Sequence, residues 1–164
     1  MVRLKQVKIA EQAFIYNPSR NSDYKECYQT ELVRGAVSMK KCLAAFLYTP
    51  AWLSFLYKIR AVLVKPFGLK TEQVVNKNTD VQKGDRFAFF EVLERNDTEI
   101  LLYGTDKHLE AWCAIEYELC PEDSYVVRCS TVVKYHNLLG KSYFFIIRPF
   151  HYFVIRDLLN RICQ

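Results

Sequence analysis

A chain of 164 residues can bury about two-thirds of the surface its unfolded form exposes, so a core without covalent staples is within reach. With 51% hydrophobic and 25% charged residues it is too apolar for a disordered chain and too often charged for a membrane protein. The net charge of +5 is scattered: Lys5 and Lys8, Lys40 and Lys41, Lys58 and Arg60, and Arg156 and Arg161 stand in separate segments among acids, which argues against a nucleic-acid-binding face.

The six cysteines contain no Cys-x-x-Cys and none has a histidine at ligand spacing, and no apolar signal segment follows the basic first residues. Buried free thiols in a cytoplasmic protein are therefore expected, with no metal site and no cofactor. Two apolar stretches, residues 44–67 and 143–155, are interrupted by Pro50, Lys58, Arg60 and Lys65 and by Arg148, Pro149 and His151. Both read as buried helices and not as transmembrane segments.

Residues 1–22 carry little regular pattern, and Asn17-Pro18-Ser19-Arg20-Asn21 is turn chemistry. Residues 23–32, rich in Tyr and Thr, predict a first strand ended by Gly35. Over residues 36–47, Val37, Met39, Leu43, Phe46 and Leu47 recur at helical spacing. Thr49-Pro50 ends that helix and caps a second, carried by Trp52, Leu53, Leu56, Ile59, Leu63 and Val64 to Pro66, with Gly68 closing it. A polar loop over 69–84 follows.

The period then changes to two. Runs over 86–95, 99–119 and 125–136, linked by Asn96-Asp97-Thr98 and Pro121-Glu122-Asp123-Ser124, predict an antiparallel meander. The middle run is too long for one flat strand, so a bulge, bend or turn is expected at residues 104–107. Val127, Cys129, Thr131, Val133 and Tyr135 should share the inner face, as should Leu109, Ala111, Cys113, Ile115, Tyr117 and Leu119. Asn137 to Gly140 turns the chain into a final helix over 143–162, with Phe144, Ile147, Val154, Leu158 and Ile162 inward, a kink or break at Pro149, and Arg156, Asp157 and Arg161 on the wet side.

The fold class is α+β in a single domain, residues 1–164. A strand, two shorter helices, an antiparallel meander and a terminal helix resemble the helix-grip architecture of the START and Bet v 1-like (SRPBCC) superfamily, a curved sheet wrapped on a long C-terminal helix. Four stretches, WLSFLYKIRAVLVKPFGL, GDRFAFFEVLERNDTEILLYGTDKHL, TVVKYHNLLGKSYFFIIRPFH and the following YFVIRDLL, resemble a bacterial family catalogued as domain of unknown function 2867. The motifs carrying the resemblance are Gly104-x-Asp106-Lys107-His108-Leu109, His136-Asn137-x-x-Gly140-x-x-Tyr143 and Pro149-Phe150-His151. Relatives often follow His-Leu with an acidic, an aromatic and a basic residue, whereas this chain has Glu110-Ala111-Trp112. In some longer relatives the domain follows a nucleotide-sugar-epimerase-like unit; no Gly-rich dinucleotide fingerprint occurs here.

Three functions follow as alternatives. A cavity between sheet and terminal helix would bind a small apolar or amphipathic ligand, lined by Phe90, Val92, Cys113, Tyr117, Cys129, Thr131 and Tyr135 from the sheet and by Tyr143, Ile147 and Phe150 from the helix. A cyclase- or hydratase-like enzyme would use Asp106 to orient His108 for acid–base work, with His136, His151 and Arg60 as further members. An accessory domain for a reductase-like protein partner would expose an apolar patch on the outer sheet face or second helix, through Trp52, Phe55 and Tyr57.

Overall fold

The chain was analysed as a computed structural model that describes residues 2–48, 54 and 78–164. Apart from residue 54, the second predicted helix, its cap Thr49-Pro50, Arg60, the patch residues Trp52, Phe55 and Tyr57, and the predicted loop as far as residue 77 lie outside the described residues. The described elements are β1 (Leu4–Gln6), α1 (Tyr16–Ser19), β2 (Tyr24–Thr30), β3 (Val33–Arg34), α2 (Met39–Leu47), β4 (Arg86–Phe87), β5 (Phe90–Arg95), β6 (Glu99–Thr105), β7 (Leu109–Cys120), β8 (Ser124–Tyr135) and α3 (Leu138–Ile162). The strands form one antiparallel sheet in the order β1-β2-β8-β7-β6-β5-β4, with β3 also paired to β8. The fold is α+β.

The 99–119 run resolves into two strands because Asp106-Lys107-His108 closes a hairpin. The Asp106 carboxylate accepts the backbone N–H of His108 at 2.7 Å and of Leu109 at 3.0 Å, an Asx turn that reverses the chain. At the next hairpin Glu122 and Asp123 take positive φ values of 59° and 48° between the two longest strands. Upstream, Ala88 at φ 53° divides the 86–95 run into β4 and β5.

Residues paired across antiparallel strands share a face. Ile100, Leu102, Ile115, Val127 and Cys129 therefore look one way, where Ile155, Leu158, Leu159 and Ile162 of α3 and Met39, Cys42 and Leu43 of α2 complete the main core. Each such fully buried side chain is worth about 1.5–3 kcal/mol of transfer free energy. The meander faces agree with the alternation in the sequence, except that Leu119, at the hairpin end, is 69% exposed.

The opposite sheet face is also covered. Residues 1–22 hold β1 and α1, where no regular structure was expected, and Ala13 and Ile15 pack on Leu101, Ala114 and Val132. The Glu99 carboxylate fixes this strap by accepting the Phe14 N–H at 2.7 Å.

α2 starts at Met39, three residues later than the periodicity suggests, because Ser38 is extended and its hydroxyl accepts the Lys41 N–H. α3 starts at Leu138, five residues earlier than expected, because Asn137 caps it, and it continues through Pro149. Its buried stripe is Phe144, Ile155, Leu158, Leu159 and Ile162; Ile147 and Val154 are only half-buried. Arg161 is not a solvated residue: its guanidinium donates to the Ala45 carbonyl at 3.2 Å and the Tyr48 carbonyl at 2.9 Å, satisfying the open end of α2. No helix among the described residues is long and apolar enough to cross a membrane, and the six cysteines are free thiols.

Candidate functional site

The space between sheet and α3 divides in two. Under the C-terminal half of α3 it is filled by the main core. At the N-terminal half the start of β2, the end of β8 and α3 border a pocket of about 660 Å³ that is broadly open to solvent. Asp23 ties the two strand ends together: its N–H donates to the Val133 carbonyl at 3.0 Å and its carboxylate accepts the Tyr135 N–H at 2.7 Å. Tyr24 and Tyr135 are thereby set side by side beneath Phe144, whose ring centroid lies 4.8 Å from that of Tyr24 and 5.9 Å from that of Tyr135. The Arg148 guanidinium sits 4.9 Å from the Tyr24 ring centre, and Lys141 joins it in the lining. Phe145 and Ile146, 75% and 56% exposed, form an apolar lip.

Behind this wall lies a buried acid. Glu26, two residues along β2 from Tyr24, is 5% exposed, and its carboxylate accepts the Tyr24 hydroxyl at 2.6 Å while meeting His151 Nδ1 at 2.6 Å. Burial pushes the Glu26 carboxyl up, but the hydrogen bond and field of His151 and the hydroxyls of Tyr24 and Tyr28 together hold it below the ordinary carboxylate range. The Tyr24 phenol moves the other way, raised by burial and then by its bond to Glu26, so it is a donor and not a base. Thr131 stands directly across from Glu26 in register, with its buried hydroxyl unpaired. Phe144, Arg148, His151 and Ile155 fall at helical spacing on one face of α3, which is how one helix supplies the wall, a cation, the acid's partner and the core.

The residues singled out in the sequence are dispersed around this site. Tyr135 lines the pocket. Thr131 lies in the buried row beside Glu26. Cys113 and Tyr117 pack against the main core, and the Tyr117 hydroxyl donates to the Asp97 carbonyl at 2.8 Å. Val92 and Cys129 are themselves core. Phe90 is at the far end of the sheet, tilted against Phe89, edge-to-face with Phe46 and pressed against Gly104, where an added Cβ would come within 3.1 Å of its ring. Tyr143 and Ile147 are half-buried on α3, and Phe150 is 46% exposed.

Asp106 and His108 share one turn without forming a carboxylate–imidazole pair, since the bond runs to the His108 backbone. The His108 ring meets Asn137 at 3.2 Å instead. His136 lies 3.9 Å from Glu110, away from His151. Two of the recognised motifs are in fact one structural joint: Asn137 accepts the Gly140 N–H at 3.0 Å, donates to the Lys107 carbonyl at 3.2 Å, and Gly140 brings α3 against the His108 carbonyl. Among the described residues no group of three or more His, Cys, Asp or Glu is placed to hold a metal ion.

Glu26 and Tyr24 escaped the sequence reading because a strand alternating Tyr, Glu and Tyr looks like a half-exposed edge. Its only signal was the acid sitting in phase with the aromatic residues of β2.

No curated protein and no solved structure matches the chain. A family model does match, described as "Protein of unknown function (DUF2867)", over residues 18–158, from α1 to the last turns of α3. With nearly the whole described fold inside that match, the chain belongs to the DUF2867 family.

Proposed function

We propose that the protein is a single helix-grip unit that binds a small amphipathic molecule at the mouth between β2, β8 and the N-terminal half of α3. The order of β2, α2, the β4–β8 meander and α3, with β2 closing onto β8, supports the helix-grip reading. The observation that carries the ligand reading is the pocket itself: about 660 Å³, walled by Tyr24, Tyr135 and Phe144, with Lys141, Ser142 and Arg148 also in its lining. Aromatic walls with few polar groups suit a ligand with an apolar body and a polar end. The site proposed from the sequence moves accordingly, with Tyr135 at the pocket, Thr131 behind it, and Phe90, Cys113 and Tyr117 supporting the sheet.

The test is a titration of ¹⁵N-labelled protein with decan-1-ol. Saturable shifts confined to the amides around Tyr24, Tyr135 and Phe144 are expected, together with a co-purified small molecule in native mass spectrometry of protein from its own host. Absence of any saturable shift there and a ligand-free mass would overturn the proposal.

A further inference from the structure

We infer that the molecule taken at this mouth is an anion, an amphiphile whose carboxylate or comparable head group is held by Arg148 with Lys141 while its apolar body lies on Tyr24, Tyr135 and Phe144. This rests on the ligand-binding reading of the same pocket and adds the chemistry of what enters it.

The argument is one of charge left over. Two cations and one acid line the pocket. The acid, Asp23, is committed to the backbone of β8 through the Tyr135 N–H. Neither cation is ion-paired to a carboxylate among the described residues: the recorded pairs use Arg34, Lys83, Arg128, Lys134, His136, His151 and Arg161. The nearby buried carboxylate, Glu26, has its oxygens taken by His151 and Tyr24. Arg148 instead sits over the Tyr24 ring and acts on the Tyr24 hydroxyl, neutral contacts that leave its charge unpaired and its remaining guanidinium N–H groups for a planar, two-oxygen acceptor. Lys141, about two turns earlier on α3, adds a second positive charge on the same rim.

The geometry also orders the ligand. The cations belong to α3 at the mouth, and the exposed lip of Phe145 and Ile146 lies beside them, so the head group stays near water and the apolar part runs toward Tyr135 and Phe144. A cationic ligand of the same shape would set like charge against Arg148 and be disfavoured.

The experiment compares decanoate with decan-1-ol by isothermal titration calorimetry, below the concentrations at which either aggregates. The wild-type protein should bind decanoate about tenfold more tightly than decan-1-ol, the scale of one charge-assisted contact at a partly wet rim. In the Arg148→Gln/Lys141→Gln double variant the ratio of the two affinities should fall to about one. Raising the salt concentration on the wild type should weaken decanoate alone, a readout that needs no variant. Equal affinity for the two probes, or a preference that survives the double variant and high salt, overturns the anion inference and leaves the pocket reading standing. Failure of both probes to bind overturns the pocket reading and the inference with it.

Discussion

The Glu26 carboxylate and the His151 imidazole meet at 2.6 Å beneath α3, although 125 residues separate them in sequence. Removing one member of a buried pair strands the other, so His151→Ala should cost about 3 kcal/mol in urea unfolding at neutral pH. The folded-state carboxyl of Glu26 lies below its ordinary value of 4.5. Its contribution is therefore complete above that value and is lost as pH falls through the folded one, because the unfolded chain takes up the proton first. The gap between wild type and His151→Ala should accordingly narrow in acid, and a gap independent of pH would contradict this account.

Glu99 titrates in the opposite sense. Burial beneath the N-terminal strap, offset in part by the Phe14 N–H and reinforced by the charge of Glu116, raises its carboxyl from 4.5 to about 7. The folded state keeps a proton that the unfolded chain has released, so stability declines as pH climbs from about 4.5 to about 7 and is flat above. The shift corresponds to a penalty on the order of 3 kcal/mol at most. Glu99→Gln keeps an acceptor for Phe14 and cannot ionise; it should stabilise the protein at pH 8 and change little at pH 4, as read by melting temperature at both.

Gly140→Ala should destabilise the protein, against the usual rule that alanine improves a helix interior by about 1 kcal/mol. An added Cβ there runs into the carbonyl of His108, which is backbone and is itself bonded to the His136 N–H. Separating α3 from the β6–β7 turn should cost about 2 kcal/mol, in the range of overpacking. A melting temperature equal to or above wild type would exclude the close approach.

Asn137 performs two tasks that substitution can separate. Asn137→Asp keeps the oxygen that caps Gly140 and meets the His108 ring but loses the amide that donates to the Lys107 carbonyl; Asn137→Ala loses all three contacts. Equilibrium unfolding should rank wild type above Asp above Ala, with the alanine variant down by about 1–2 kcal/mol. Equal losses for the two variants would assign the whole effect to the hairpin tie.

Much of this fold is legible in the sequence where one period dominates. The meander followed from alternation, and the faces of β7 and β8 from counting in twos, as Cys113, Ile115, Val127 and Cys129 demonstrate. Interactions between segments were not legible. The helix stripe differs from expectation at Ile147 and Val154 because α3 is apolar on several sides, and only packing into the main core selects Ile155 and Leu159. Arg161 looked like a surface charge because its partners are backbone carbonyls of α2, which no side-chain pattern announces. Asp106 and His108 carried the signature of acid–base chemistry, but a carboxylate followed two residues later by a backbone N–H makes an Asx turn equally well. For the site, Tyr135 was visible as the last inward residue of β8, whereas the Tyr24–Glu26–His151 set depends on a strand and a helix from opposite ends of the chain.

That β2 pairs with β8 has a kinetic consequence. The hydroxyl of Thr30 accepts the N–H of Val127 across 97 residues of intervening chain, and the whole β2–β8 ladder spans comparable separations. Meander hairpins close over short loops and need little search, but β2, with the three-residue β1 on its other side, must wait until β8 exists before it joins the meander. Refolding should thus proceed with early protection of amides in β6, β7 and β8 and late protection in β2, and the mouth bounded by Tyr24 and Tyr135 should be among the last parts to assemble.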